Sequence, residues 1–166
     1  LGFRRLNVIY EKEFWGKGES RDEPRRNAVR AVARRSRQEG KLACIDIEEW
    51  SLQTADGGLN EQSLRKYLKV AQWMNEAEPR LQFGFYTTLP KRNYWASVGN
   101  SKRKRQNWRK VNARLMPLAK EVDVVFPSLY TFYNKPEAWV TYAKAHLKEA
   151  QQYGRPVYAF LWPRFH

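Results

Sequence analysis

Short apolar runs alternate along the chain with longer segments whose apolar residues recur every three or four positions. The apolar runs predict β-strands at residues 6–10, 42–48, 81–87, 122–130 and 157–162. The periodic segments predict four helices, ending near residues 40, 76, 120 and 154, with Asp22 and Asn134 as N-caps of the first and last. A polar loop, 89–100, follows the third strand.

The alternation of strands and helices is typical of an α/β domain with a parallel sheet. Two architectures have this order: an open doubly wound sheet and a (β/α) barrel. The 166 residues fit one domain. Closing a barrel takes eight strands and usually about 250 residues, so five strands would form only part of one.

The second predicted strand ends in two carboxylates, Asp46 and Glu48, shortly before a turn at residues 56–58. Residues two apart on a strand point to the same face. Mutual repulsion raises one carboxyl pKa, so that one group can act as a general acid while the other stays charged. Glycoside hydrolysis uses such a pair. A metal site and a solvated strand end are the other interpretations of this spacing.

Two tyrosines, Tyr86 and Tyr130, are predicted on the same side of the sheet as the carboxylates. A tyrosine can donate a hydrogen bond to a substrate oxygen while its ring stacks on a sugar, although a half-buried core role is commoner. Gly84 allows another backbone to approach closely, and Pro127 removes a ladder donor, so regular pairing should stop there. Trp50 is either a sugar platform or a packing residue.

Charge narrows the choice of partners. Lys and Arg total 31 against 17 Asp and Glu, a formal net charge of +14, which favours polyanions such as acidic glycan or nucleic acid. Residues 101–114 hold seven of these cations on a predicted outer helix, whereas Lys91 and Arg92 are expected nearest the cleft. No nucleic-acid-binding motif accompanies the charge. No apolar run is long enough to span a bilayer.

Four blocks carry a resemblance to a known family. Residues 45–50, Ile-Asp-Ile-Glu-Glu-Trp, resemble the catalytic motif of the hyaluronidase family of glycoside hydrolases. Phe83-Gly84-Phe85-Tyr86, Pro127-Ser128-Leu129-Tyr130 and Arg155-Pro156-Val157-Tyr158 are similar to later strands of that family, in the same order. The resemblance runs from about residue 40 to residue 166, and the first block is its most specific part.

The resemblance implies a (β/α) TIM-like barrel, incomplete in this chain, with five strands and four helices in one catalytic domain over residues 1–166. It implies a retaining, substrate-assisted cleavage of N-acetylhexosamine polysaccharide, without metal or cofactor. Glu48 would be the acid/base, and Asp46 would orient the substrate acetamido group. Tyr86, Tyr130, Trp50 and Ser128 would contact substrate. The family resemblance also implies secretion, although residues 1–5 carry no signal-peptide stretch.

Two further functions fit parts of the pattern. A barrel muramidase also uses an Asp-x-Glu pair on a strand, but the Pro-Ser-x-Tyr block at residues 127–130 favours the hyaluronidase-like interpretation. A non-catalytic basic module that binds acidic glycan or nucleic acid would explain the charge alone.

Overall fold

A parallel sheet forms the centre of the computed structural model, which describes residues 5–15, 23–40 and 42–162. Its strands β1 (Asn7–Tyr10), β2 (Leu42–Asp46) and β3 (Gln82–Phe85) lie in the order β1-β2-β3. Tyr10 pairs with Asp46, and Ile45 pairs with Phe85. The carboxyl ends of all three strands therefore meet at one edge of the sheet.

Six helices connect and cover the sheet within the described residues. They are α1 (Arg26–Glu39), α2 (Glu61–Ala77), α3 (Tyr94–Val98), α4 (Lys102–Arg114), α5 (Met116–Glu121) and α6 (Pro136–Gln151). A single 3-10 turn, Glu11–Glu13, follows β1 directly. None of the helices in the described ranges is long and apolar enough to cross a membrane.

The sheet continues beyond β3 through single parallel bridges instead of the two further strands that the sequence predicts. Tyr86 bridges to Phe126, Val125 to Val157, and Ser128 to Phe160. Pro127 has no N–H to donate, so the ladder is interrupted there, as predicted. The described residues thus form a three-stranded sheet with a bridged extension, and a closed barrel is not seen among them.

The helices differ from the prediction in three ways. The expected third helix, 104–120, is split at Leu115 into α4 and α5, because Pro117 cannot continue the hydrogen-bond ladder of α4. The short helix α3 lies in the predicted polar loop. Asn134 does not cap α6: the N-cap is Lys135, with no side-chain hydrogen bond. The predicted cap Asp22 lies outside the described residues.

The two faces of the sheet have different partners. Ile9, Ile45 and Phe85 point to the side covered by helices and belong to the main core. Cys44 and Phe126 point to the opposite side, in a smaller apolar cluster that also includes Tyr86. Burial raises the pKa of the Cys44 thiol, which keeps it protonated and unreactive.

Gly84 sets the spacing on this second side. A Cβ at this position would lie 2.2 Å from the backbone oxygen of Val124. Only glycine therefore lets residues 124–126 lie beside β3, which confirms the close approach that its place in the strand predicts.

Candidate active site

Strand β2 ends at Asp46, two residues earlier than the sequence predicts, and Glu48 lies in the loop that follows. The strand ends there because its next polar groups bond to side chains. The Ile47 carbonyl accepts a hydrogen bond from the Tyr67 hydroxyl at 2.7 Å. The Glu48 and Glu49 N–H groups also turn away from the sheet. The orientation of Glu48 is thus set by the loop and not by strand alternation.

Glu11 holds this loop in place. Its Oε2 atom accepts hydrogen bonds from the backbone N–H of Glu48 at 2.9 Å and of Glu49 at 3.2 Å. Glu11 directly follows β1, whose last residue Tyr10 pairs with Asp46. A third carboxylate therefore lies beside the predicted pair.

The environment of Asp46 keeps its carboxyl group partly protonated near neutral pH. Burial, and after it the charges of Glu48 and Glu11, together raise its pKa to about 6. Its Oδ1 atom is buried and has no hydrogen-bond partner among the described residues. An unsatisfied buried carboxylate oxygen can accept a hydrogen bond from a bound ligand.

A cavity of about 270 Å³, here called the Glu48 cavity, opens at the carboxyl edge of the sheet. Its walls include Glu48, Tyr86, Thr87, Lys91 and Arg92. It therefore combines an exposed carboxylate, hydroxyl groups and two cations, which suits a polar ligand such as a sugar.

Asp46 faces a separate, smaller cavity of about 120 Å³, here called the Asp46 cavity. Tyr10, Tyr86, Tyr130 and Phe160 are among its walls. Because Tyr86 borders both cavities, it connects the surroundings of the two predicted catalytic carboxylates. The structure thus brings Asp46, Glu48, Tyr86 and Tyr130 to one edge of the sheet.

Tyr86 is held by a polar contact with the neighbouring segment. Its hydroxyl donates to Oγ of Ser128 at 3.2 Å, and its ring lies 6.2 Å from that of Tyr130. Ser128 is itself fixed, because its carbonyl accepts from the Tyr142 hydroxyl at 2.5 Å. Burial raises the pKa of Tyr86 well above its usual value, so its hydroxyl stays a donor.

Trp50 lies on the wall of the Glu48 cavity but is largely packed. Its side chain is 5% exposed, and its ring makes edge contacts with Trp15 at 5.7 Å and Tyr67 at 5.4 Å. The Lys66 ammonium lies 5.6 Å from the ring centre. Little surface is left for stacking on a sugar, so the geometry favours the packing role for Trp50.

Lys91 and Arg92 lie on the wall of the Glu48 cavity, where the sequence predicts them. The Lys91 backbone is anchored on α4: its carbonyl accepts from the Trp108 indole at 2.7 Å, and its N–H donates to Asn112 at 3.1 Å. Burial lowers the pKa of the Lys91 ammonium, and the Arg92 charge adds to this. The guanidinium of Arg92 lies over the Phe132 ring.

Among the residues that the structure describes, no group of three or more His, Cys, Asp or Glu side chains is placed to hold a metal ion. The carboxylates Glu11, Asp46 and Glu48 do not form such a cluster, so the metal-site interpretation of the Asp-x-Glu spacing has no support from their geometry.

Sequence reasoning missed Glu11 and the short helix α3. Glu11 could have been found, because it directly follows the first apolar run, and the ends of neighbouring parallel strands meet at one edge. Helix α3 also left a signal: Asn93 caps it by accepting a hydrogen bond from the Ala96 N–H at 2.9 Å.

Comparison with solved structures identifies the fold. The chain is similar to a monoclinic crystal structure of bee venom hyaluronidase, with a TM-score of 0.64 and 13% identity over 98% of this chain and 69% of that chain. A structure of bee venom hyaluronidase in complex with a hyaluronic acid tetramer gives a TM-score of 0.65 and 12% identity, over 97% and 68% of the two chains. No family model matches, and neither does any curated protein sequence.

These likenesses show that the fold resembles that of bee venom hyaluronidase, which is of the TIM-barrel type, while the described residues form no complete barrel. In barrel enzymes the catalytic groups lie at the carboxyl ends of the strands. The edge that carries Asp46, Glu48 and Tyr86 corresponds to that face.

Proposed function

We propose that this chain is a glycoside hydrolase that cleaves N-acetylhexosamine-containing polysaccharide with retention of configuration. One observation carries the proposal: Asp46 and Glu48 follow one another at the carboxyl edge of the sheet, and each lines a cavity that Tyr86 also borders. Within the described residues neither carboxylate is held in an ion pair, so both are available to a ligand.

The proposed reaction divides the work between the two carboxylates. Glu48 donates a proton to the glycosidic oxygen as the bond to the anomeric carbon breaks. The substrate's own acetamido oxygen attacks that carbon, while the Asp46 carboxylate accepts a hydrogen bond from the acetamido N–H. Water then opens the cyclic intermediate, giving a proton to Glu48 and restoring it for the next cycle.

The tyrosines supply positioning in this scheme. Tyr86 and Tyr130 line the Asp46 cavity, where a small polar group such as an acetamido group would be enclosed. Ser128 orients the Tyr86 hydroxyl and is too buried, at 1% exposed, to be a principal substrate contact.

Lys91 and Arg92 support an acidic substrate. Both residues line the Glu48 cavity together with Glu48 itself. Guanidinium and ammonium groups attract carboxylates and sulfates. Bee venom hyaluronidase has been crystallised in complex with a hyaluronic acid tetramer.

A second candidate, a non-catalytic module that binds acidic glycan, is favoured by the net charge of +14. It predicts binding without turnover. The muramidase alternative predicts turnover of peptidoglycan in preference to hyaluronan, chondroitin or chitin oligomers.

The test is hydrolysis of these four polymers by the full chain and by Glu48→Gln. Loss of the general acid should reduce turnover by a factor on the order of 10²–10⁴. Glu49→Gln is the matched control, because it removes a neighbouring carboxylate from the same loop, and it should retain activity. Equal turnover by Glu48→Gln and the parent chain would remove Glu48 from the mechanism, and binding without any hydrolysis would favour the non-catalytic module.

A further inference from the structure

A third cavity, of about 350 Å³, lies beyond the Glu48 cavity and is here called the Trp95 cavity. Consecutive residues of two loops line the two cavities. Leu52 borders the Glu48 cavity and the next residue, Gln53, borders the Trp95 cavity. Likewise, Arg92 borders the Glu48 cavity and the next residue, Asn93, borders the Trp95 cavity. The two cavities are therefore neighbours along both loops, as a chain-like ligand that occupies both would require.

Trp95 offers this cavity an exposed aromatic surface. It is 60% exposed, although α3 and two neighbouring rings hold it in position. Its ring centre lies 5.2 Å from that of Tyr94 and 5.5 Å from that of Tyr133. An exposed tryptophan that is already fixed can stack on the apolar face of a sugar at low entropic cost.

Two cations stand on the wall of the Trp95 cavity. Arg103 and Lys104 are both exposed on α4, and within the described ranges neither forms an ion pair with an acidic side chain. A guanidinium group can bind a carboxylate or sulfate through two parallel hydrogen bonds. The sequence predicts these cations on an outer helix, and in the structure they lie on α4 and border the Trp95 cavity.

The remaining wall is a rigid turn. Gln53 pairs with Leu59 in an antiparallel bridge, and the Gln53 amide donates to the Gly57 carbonyl at 3.2 Å. Asp56 is the acidic group here, but its Oδ1 accepts from the Thr54 hydroxyl at 2.5 Å and from the Gly58 N–H at 3.3 Å. The Asp56 carboxylate is therefore already hydrogen-bonded within the turn. The cavity wall carries this one negative charge against the two positive charges of Arg103 and Lys104.

We propose that the Trp95 cavity is a distal subsite for an acidic sugar unit, with Trp95 as its stacking platform and Arg103 and Lys104 as its anion-binding groups. This inference rests on the proposed function, because it assumes that the polysaccharide occupies the Glu48 cavity first. The subsite would select long acidic chains over short or neutral ones.

The test measures affinity in the Glu48→Gln background, so that the ligand is not consumed. The probes are a hyaluronan tetrasaccharide, a hyaluronan octasaccharide and a chitin oligosaccharide as long as the octasaccharide. The octasaccharide should bind more tightly than the other two. Trp95→Ala should weaken octasaccharide binding by about tenfold and leave the tetrasaccharide unchanged. Trp95→Phe, which keeps an aromatic face, should recover part of the loss.

Charge is tested separately. Arg103→Gln/Lys104→Gln should reduce the salt dependence of octasaccharide binding, because fewer cations meet the polyanion. Arg34→Gln/Lys144→Gln makes the same change in net charge on exposed sites of α1 and α6 and should leave the salt dependence at the parent value.

The outcomes separate this inference from the proposed function. If Trp95→Ala and Arg103→Gln/Lys104→Gln bind the octasaccharide as the parent does, the distal subsite is wrong, even where Glu48→Gln has abolished hydrolysis. If no polymer is hydrolysed by the parent but octasaccharide affinity still depends on Trp95, the subsite stands and the catalytic proposal fails. Absence of any binding overturns both.

Discussion

The Glu11 carboxylate accepts a hydrogen bond from the backbone N–H of Glu48 at 2.9 Å. The contact joins the end of β1 to the loop after β2, across a sequence separation of 37 residues. The position of the proposed general acid therefore depends on an acidic residue in the 3-10 turn that follows β1.

Replacing Glu11 should change the titration of Asp46. The negative charge of Glu11 contributes to the raised pKa of Asp46, so Glu11→Gln should move that pKa below its value of about 6. The measurement is the carbon-13 shift of the Asp46 carboxyl group against pH. Glu13→Gln, in the same 3-10 turn, is the control and should leave the titration in place. An unchanged Asp46 pKa in Glu11→Gln would show that the two groups do not interact.

Gly84→Ala should destabilise the fold strongly. The added methyl group would lie 2.2 Å from the Val124 backbone oxygen, and backbone cannot move aside as a flexible side chain can. We expect a loss of about 3 kcal/mol in the free energy of unfolding, measured by urea denaturation. Gly40→Ala is the matched control, since a Cβ there meets open space. A Gly84→Ala protein as stable as the Gly40→Ala one would contradict the close approach.

The Tyr86 and Ser128 hydroxyls should be energetically coupled. A double-mutant cycle with Tyr86→Phe and Ser128→Ala should give a coupling of about 1 kcal/mol, the value of one buried hydrogen bond. Tyr142→Phe paired with Ser128→Ala serves as the control, because Tyr142 bonds to the Ser128 carbonyl, which the substitution keeps. Coupling of equal size in both cycles would mean that the effect comes from packing and not from the Tyr86 bond.

His146 should make the fold sensitive to mild acid. Burial lowers its pKa to about 4, against 6.5 for an ordinary histidine, so the unfolded chain takes up the proton first as pH falls. Stability is therefore complete above about pH 6.5 and declines towards pH 4, by up to about 3 kcal/mol. His146→Phe, which keeps a ring between Trp108 and Tyr142, should flatten this decline in thermal unfolding followed across that range. An identical pH dependence in parent and variant would assign the acid sensitivity to other groups.

The order β1-α1-β2-α2-β3 was predictable from the sequence, because three short apolar runs alternate with two periodic segments that end near Gly40 and Pro79. Pairing is harder to predict. Residues 122–130 read as one continuous strand, but Pro127 reduces them to single bridges, and pairing depends on partners that local patterns do not contain. The split at Leu115 follows from Pro117, a signal that the apolar stripe of the helix obscured.

The candidate site also combines residues that local sequence patterns predict with residues that only tertiary packing brings near. The placement of Asp46, Tyr86 and Tyr130 near one edge of the sheet was predictable, because each lies at or near the end of a predicted strand. Glu11 contacts the loop that carries Glu48, and Arg103 borders the Trp95 cavity, and only the packed chain brings these turn and helix positions there. Trp50 lies at the predicted end of the sheet, yet its ring packs against Tyr67 and against Trp15, which lies in the connection between β1 and α1.

The packing of Trp50 against Trp15 gives the chain an intrinsic optical reporter. Two indoles 5.7 Å apart, with rings 69° from parallel, couple their electronic transitions and produce near-ultraviolet circular dichroism that depends on their mutual orientation. Trp50 borders the Glu48 cavity, two residues after Glu48 itself. A ligand or substitution that displaces the loop is expected to change the angle between the two indoles. Binding in the Glu48 cavity can thus be followed by near-ultraviolet circular dichroism, without a label and without turnover.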